Sequence, residues 1–349
     1  MGASPMSRDV QKTKRAGPPA TLEERFIETR DGHRLFVTQW RPRRPKGVPL
    51  VLTDGLGCEG YAWSYLIDYF KGERPLVAWQ YRGHGRSPVP EDLDCLTIPN
   101  MVRDLEDVLT TTNTHEAVFL GYSMGVQILL EAVRSLRERV RGLVLVCGSY
   151  ERPIDNWHNA PERYRAPTIA NRLMRRVFPY LSGAFLHFPD PAHRVWRSVV
   201  PTRLSYEVAV RTEVNGRRID RRDFSPYLDH IGTMDMRVFA ALARALAVHS
   251  AADLLPTLTC PTLIIAGQRD TFAPVWLSEE MHRQVPDSEL MVVRDGTHAT
   301  PVEHPQLLNL RLEKFLRERV ERNVRGGRRR NNNLAPSVNV SPRSRSESH

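Results

Sequence analysis

Gly121-Tyr122-Ser123-Met124-Gly125 is the stretch on which the reading of this chain turns. It has the form G-x-S-x-G. Upstream lies Ala117-Val118-Phe119-Leu120, a continuous apolar run of strand length. Downstream, Val126 to Val133 has the length and apolar content of a helix. A serine on so sharp a strand-to-helix turn projects its hydroxyl outward. Glycines two positions to either side allow the turn, because larger side chains would collide with neighbouring backbone. The five-residue pattern is weak alone, so its surroundings decide its meaning.

Similar units lie on both sides. Pro49-Leu50-Val51-Leu52-Thr53 reads as a buried strand running into the glycine-rich loop Asp54-Gly55-Leu56-Gly57-Cys58. Tyr61 to Phe70 has helical apolar spacing. Leu76-Val77-Ala78-Trp79 is the next strand, ending in Tyr81-Arg82-Gly83-His84-Gly85-Arg86-Ser87, and Pro99 to Leu109 reads as a helix with an early proline. Gly142 to Val146 is a further apolar run. The pattern stops near residue 150 and resumes with Pro261-Thr262-Leu263-Ile264-Ile265-Ala266-Gly267, a helix near 275–284, the strand Leu290-Met291-Val292-Val293 and a helix from about Glu303 to Glu321. Strands without polar alternation, separated by helices, indicate a mostly parallel sheet covered on both faces. Ahead of them, Phe26 to Thr29 and Leu35 to Thr38 flank Asp31-Gly32, a hairpin signal in which Asp-Gly supplies the positive-φ positions.

This divides the chain into a disordered tail (1–20), a first core part (21–150), a mostly helical inserted cap (151–250), a second core part (251–323) and a disordered basic tail (324–349). The net charge of +10 sits mainly in the tails, which carry +3 and +5 and leave +2 for the body. The basicity therefore says little about what the body binds, and no nucleic-acid partner is expected. Four cysteines without a C-x-x-C pair read as reduced, mostly buried thiols. With no apolar run near eighteen residues and no signal-peptide pattern, the expectation is a cytoplasmic chain with no transmembrane segment.

A serine hydroxyl needs a base to take its proton and a third group to orient that base. Asp270, in Gly267-Gln268-Arg269-Asp270, follows one expected strand, and His298, in Gly296-Thr297-His298, follows the next. In a parallel sheet both loops share the edge that carries Ser123. We therefore assign Ser123 as nucleophile, His298 as general base and acid, and Asp270 as the orienting carboxylate. The developing oxyanion needs donors, each worth about 3–4 kcal/mol. The backbone N–H groups of Met124, next to the nucleophile, and of Leu56, in the loop after the first core strand, fit that role. No His/Cys/Asp cluster has metal-ligand spacing, and Gly55-Leu56-Gly57 is not a dinucleotide fingerprint.

Together, the Asp54-to-Gly57 loop, Tyr81 to Ser87, the serine turn, Cys260 to Asp270, Gly296-Thr297-His298 and Glu303-His304-Pro305 closely resemble the α/β-hydrolase superfamily, in its esterase, lipase and non-haem haloperoxidase-like branch. The resemblance covers about residues 25–150 and 250–320. It implies an α/β-hydrolase fold and a serine hydrolase that needs no cofactor. Some members take the triad acid from an earlier strand, where Asp155 is the alternative. Relatives usually have His-Gly where this chain has Asp54-Gly55. The oxyanion donor is a backbone N–H, so Asp54 is expected to point away or to be paired. Val126 also departs from the pattern, since a further small residue is frequent there.

The expected activity is hydrolysis of a carboxylic ester, or a related acyl bond, of a small-molecule substrate through an acyl-Ser123 intermediate. Alternatives are acyl transfer or perhydrolysis on the same triad, and a non-catalytic binding protein on the same scaffold. His304 competes with His298 but sits at a helix start, where capping explains it. His84 reads as structural. The cap holds sixteen arginines and ten carboxylates, with pairs at Arg175-Arg176, Arg217-Arg218 and Arg221-Arg222. They are a solvated face or, in the sharper reading, an attractor for acidic substrate at the site's mouth. The aromatic segments Val177 to Leu181 and Phe185 to Phe188 are either cap packing or an acyl-binding wall.

Overall fold

The alternation between apolar strands and helices builds a single eight-stranded sheet. A computed structural model describes residues 20–156, 169–187, 189–200, 202–212 and 214–322; the expectations for residues 1–19 and 324–349 lie outside them. The strands are β1 (Thr21–Glu28), β2 (Arg34–Arg41), β3 (Leu50–Thr53), β4 (Leu76–Trp79), β5 (Ala117–Tyr122), β6 (Val140–Val146), β7 (Thr262–Gly267) and β8 (Ser288–Val293). Their spatial order is β1-β2-β4-β3-β5-β6-β7-β8. The β1–β2 and β2–β4 pairs are antiparallel and every later pair is parallel.

The β1–β2 hairpin turns at Gly32, whose φ is +81°. Asp31 does not share the positive φ expected of it. Its carboxylate instead accepts from the Thr29 hydroxyl at 2.6 Å.

Helices α1 (Ser64–Phe70), α2 (Ile98–Thr111) and α3 (Met124–Leu136) follow β3, β4 and β5. Between β6 and β7 come α4 (Pro153–Asn156), α5 (Ile169–His187), α6 (Pro189–Val199), α7 (Arg203–Thr212), α8 (Arg221–Thr233) and α9 (Met236–Val248). After β7 comes α10 (Val275–Gln284), and after β8 come α11 (Thr300–Glu303) and α12 (Pro305–Phe315). The single helix expected over Glu303 to Glu321 is broken, because Pro305 has no N–H to continue it and His304 takes φ −131°. A π-helical turn follows at Leu316–Val320.

Successive strand residues point to opposite faces, which explains the uninterrupted apolar runs. Val51, Phe119, Leu143 and Ile264 pack with α2 and α3 in one layer. Leu50, Leu52, Val118, Leu120 and Leu263 pack with α1 and α12 in the other. The register pairs Thr53 with Gly121, Tyr122 with Val146, and Gly267 with Val293. The carboxyl ends of β3, β5, β6, β7 and β8 thus share one edge.

Candidate active site

Ser123 sits between β5 and α3 with φ 52° and ψ −113°, a conformation that costs about 1–3 kcal/mol and survives only where its surroundings enforce it. A Cβ on Gly121 would lie 2.7 Å from the Gly125 carbonyl oxygen, and one on Gly125 would lie 2.3 Å from that of Thr53. The flanking glycines are therefore required by close backbone approach. Val126, the bulkier departure, is matched across the turn by Gly148, where a Cβ would meet the Val126 side chain at 2.3 Å.

The structure brings Ser123, His298 and Asp270 together. His298 Nε2 lies 2.9 Å from Ser123 Oγ. Its Nδ1 lies 2.9 and 3.1 Å from the two carboxylate oxygens of Asp270. The Asp270 side chain is buried and also accepts from the N–H groups of Phe272 and Ala273, each at 2.9 Å. A carboxylate so placed holds the orientation of the His298 ring.

Met124 N–H stands at the first turn of α3, where a helix leaves its amides without intrahelical partners. Among the described residues neither it nor Leu56 N–H has an acceptor. Four neighbouring amides of the Leu56 loop are engaged. Those of Gly55 and Gly60 donate to Asp54 at 3.0 and 2.5 Å, that of Gly57 to His84 Nε2 at 3.2 Å and that of Cys58 to the Gly55 carbonyl. Asp54 is thus turned into its own loop, as its expected pairing requires. Burial pushes its carboxyl up to about 6, while the two amides pull the other way. Burial likewise pushes His84 down to about 3, which keeps the ring neutral and able to accept from Gly57.

Three supports stand within the motifs already noted, but the sequence gives them no role. The Tyr122 hydroxyl donates to the His298 carbonyl at 3.0 Å. Glu303 accepts from the Thr297 N–H at 2.8 Å, the Thr297 hydroxyl at 2.7 Å and the Asn215 N–H at 2.7 Å. It ties the His298 loop to the segment between α7 and α8. Gly267 faces the same loop, and a Cβ there would meet the Thr297 carbonyl at 2.4 Å. A period marks a buried apolar face, but nothing comparable marks a buried glutamate.

The competing candidates lie elsewhere. Asp155 pairs with Arg152 at 3.2 Å and with Arg175 at 3.1 Å. The N–H of Leu308 donates to the His304 carbonyl, and the His304 ring is pushed below its ordinary value, chiefly by burial. A cavity of about 400 Å³ opens over Ser123 and His298. Its apolar lining includes Met174, Phe178, Phe239 and Leu246. No arginine is among its described lining residues. Phe178, from the aromatic segment, is in the wall, whereas Phe185 packs on Trp196 with ring centroids 6.1 Å apart. Among the described residues, no group of three or more His, Cys, Asp or Glu side chains could hold a metal ion. No described helix is long and apolar enough to cross a membrane.

Comparison with known proteins agrees with this fold. A family model described as the alpha/beta hydrolase family matches residues 50–309, more than half of the chain. The chain is 24% identical over 275 residues to the provisionally named carbamate hydrolase RutD of Azorhizobium caulinodans, covering 78% of this chain and 92% of that protein. It is 23% identical over 285 residues to 3-oxoadipate enol-lactonase 1 of Acinetobacter baylyi, covering 80% and 92%. Among solved structures, the bromoperoxidase of Bacillus anthracis superposes with a TM-score of 0.67 at 15% identity, covering 85% of this chain and all of that one.

Proposed function

The chain belongs to the alpha/beta hydrolase family, and from that premise we propose that it is a serine hydrolase cleaving a carboxylic ester or a related acyl bond. The observation that carries this reading is the continuous hydrogen-bonded path from Ser123 Oγ through His298 to Asp270. The names of two relatives support the bond class, since an enol-lactone is a cyclic ester and a carbamate an acyl derivative.

In this reading His298 Nε2 takes the hydroxyl proton as Ser123 Oγ attacks the carbonyl carbon. The carbonyl electron pair moves onto oxygen, where the Leu56 and Met124 N–H groups stabilise it. Asp270 holds the Nδ1–H of His298 and stabilises the imidazolium that forms. Collapse of the intermediate expels the alcohol, which His298 protonates. Water, deprotonated by the same imidazole, then releases the acid from acyl-Ser123. Residues 151–250 act as a cap over this chemistry, between core parts 21–150 and 251–323. The apolar cavity lining favours neutral substrates over acidic ones.

A fluorophosphonate probe tests the reading. Wild type should be labelled at Ser123, and Ser123→Ala should lose both labelling and hydrolysis of nitrophenyl acetate. A folded wild type that resists the probe, or labelling that survives Ser123→Ala, overturns it.

A further inference from the structure

Helix α5 carries apolar side chains on two opposite faces. Met174 and Phe178 line the cavity over Ser123. Across the helix, Ile169, Leu173 and Tyr180 fall within about 40° of one another at 100° per residue. They are 85%, 61% and 77% exposed. Arg176 stands in the same stripe and is exposed. Helix α6 packs against α5, and Val195 and Val199 on it are exposed too. Six of the fifteen exposed large apolar side chains among the described residues lie on these two helices. That concentration separates the patch from the scattered apolar exposure of an ordinary surface. A helix apolar on both faces needs a cover on each.

Charge selects the cover. Residues 169–199 contain five arginines and a single carboxylate, Asp190, and all five arginines are exposed. Apolar side chains interleaved with arginine suit the boundary between lipid headgroups and acyl chains. The aliphatic stems lie along the chains, the guanidinium groups reach the phosphates and tyrosine takes the interfacial depth. A second copy of this chain fits badly, because a two-fold contact would set arginine-rich surface against itself.

We propose that the outer face of α5 and α6 docks on an anionic lipid surface. The same α5 then separates that surface from the apolar cavity.

The full-length chain should be sedimented with vesicles of phosphatidylcholine alone and of phosphatidylcholine with phosphatidylglycerol. We expect binding to the anionic vesicles, weakened by salt, and lowered at least about tenfold by the double change Leu173→Glu, Tyr180→Glu. Leu22→Glu, an equivalent change on β1, should leave binding intact. Hydrolysis of a soluble short-chain ester checks the fold and separates this outcome from failure of the catalytic reading. If the double variant does not fold, Arg176→Ala reads the same face and should weaken binding to anionic vesicles. Absence of binding, equal binding to neutral vesicles, binding indifferent to these changes, or a solution dimer that they dissolve would each overturn the proposal.

Discussion

Asp54 and Asp270 are both buried carboxylates at the carboxyl edge of one sheet, the first after β3 and the second after β7. They are held in opposite ways. Asp270 faces a histidine as well as two backbone amides. Asp54 faces only the amides of its own loop, and among the described residues no ion pair relieves its charge. In the catalytic reading the first carboxylate orients a base, whereas the second shapes a loop. The partner, not the residue type or its distance from a serine, assigns the role.

The largest expected effect breaks the pair at Asp270. In the proposed reaction, Asp270→Asn removes the charge that would stabilise the imidazolium and offers an N–H where Nδ1–H needs an acceptor. We expect kcat on nitrophenyl acetate to fall by about 10⁴-fold with KM little changed. Asp54→Asn should cost less than about tenfold, since it leaves His298 untouched. Equal losses from the two changes would erase the distinction.

The positions of Ser123, Asp270 and His298 were legible because each follows an apolar run of strand length within a few residues, and the parallel sheet brings the ends of such runs to one edge. The serine turn was legible because only glycine tolerates contacts as close as those at Gly121 and Gly125. The orientation of Asp54 could only be bounded, because a side chain's direction depends on which loop amides lie free. Glu303 and Tyr122 stood within recognised motifs, but the roles of their side chains carried no signal. Their partners are a threonine amide, an asparagine amide and a histidine carbonyl, which only the fold brings near. The arginines of residues 151–250 were the least legible feature, because composition marks them as abundant without saying where their side chains point.

The next effect in size sharpens the comparison through pH. The folded state raises the Asp54 carboxyl from 3.8 to about 6 by burial. Between those values the folded chain binds a proton that the unfolded chain has released. Its contribution therefore favours folding at low pH and is lost as pH rises through the folded value. The shift corresponds to about 3 kcal/mol. Thermal unfolding should show wild type losing stability relative to Asp54→Asn between about pH 4 and 6, with the difference flat above. A difference independent of pH would mean that the ionised carboxylate is better satisfied than its two amide bonds indicate.

Glu303 is a third buried carboxylate, and it lies between the two cases. Like Asp54 it meets no cation in a described ion pair; like Asp270 it supports the loop of a proposed catalytic residue. Glu303→Gln keeps one acceptor oxygen and turns an NH₂ toward a donor. We expect a loss of about 1–3 kcal/mol, read as a drop of several degrees in Tm, with a smaller change in kcat. A kcat loss approaching that of Asp270→Asn would move Glu303 into the catalytic machinery.

The smallest effect concerns the loop that Asp54 shares with His84. Asp54 binds the amides of Gly55 and Gly60, and His84 binds that of Gly57, so Leu56 N–H stands between two anchors. The Tyr81 hydroxyl adds a bond of 2.5 Å to the Asp54 carbonyl, and its ring meets His84 edge-on at 5.1 Å. His84→Ala removes one anchor and leaves a buried amide unpaired. Deleting an oxyanion donor outright costs about 10²–10³ in kcat. A donor that is only loosened should cost about tenfold, or 1.4 kcal/mol, with KM nearly constant. His84→Gln supplies an acceptor again and should recover most of the loss, which a purely packing role for the ring would not allow. If His84→Ala leaves kcat unchanged, the carboxylate of Asp54 holds the loop alone. The two carboxylates would then differ in what they hold but not in how much the proposed reaction depends on them.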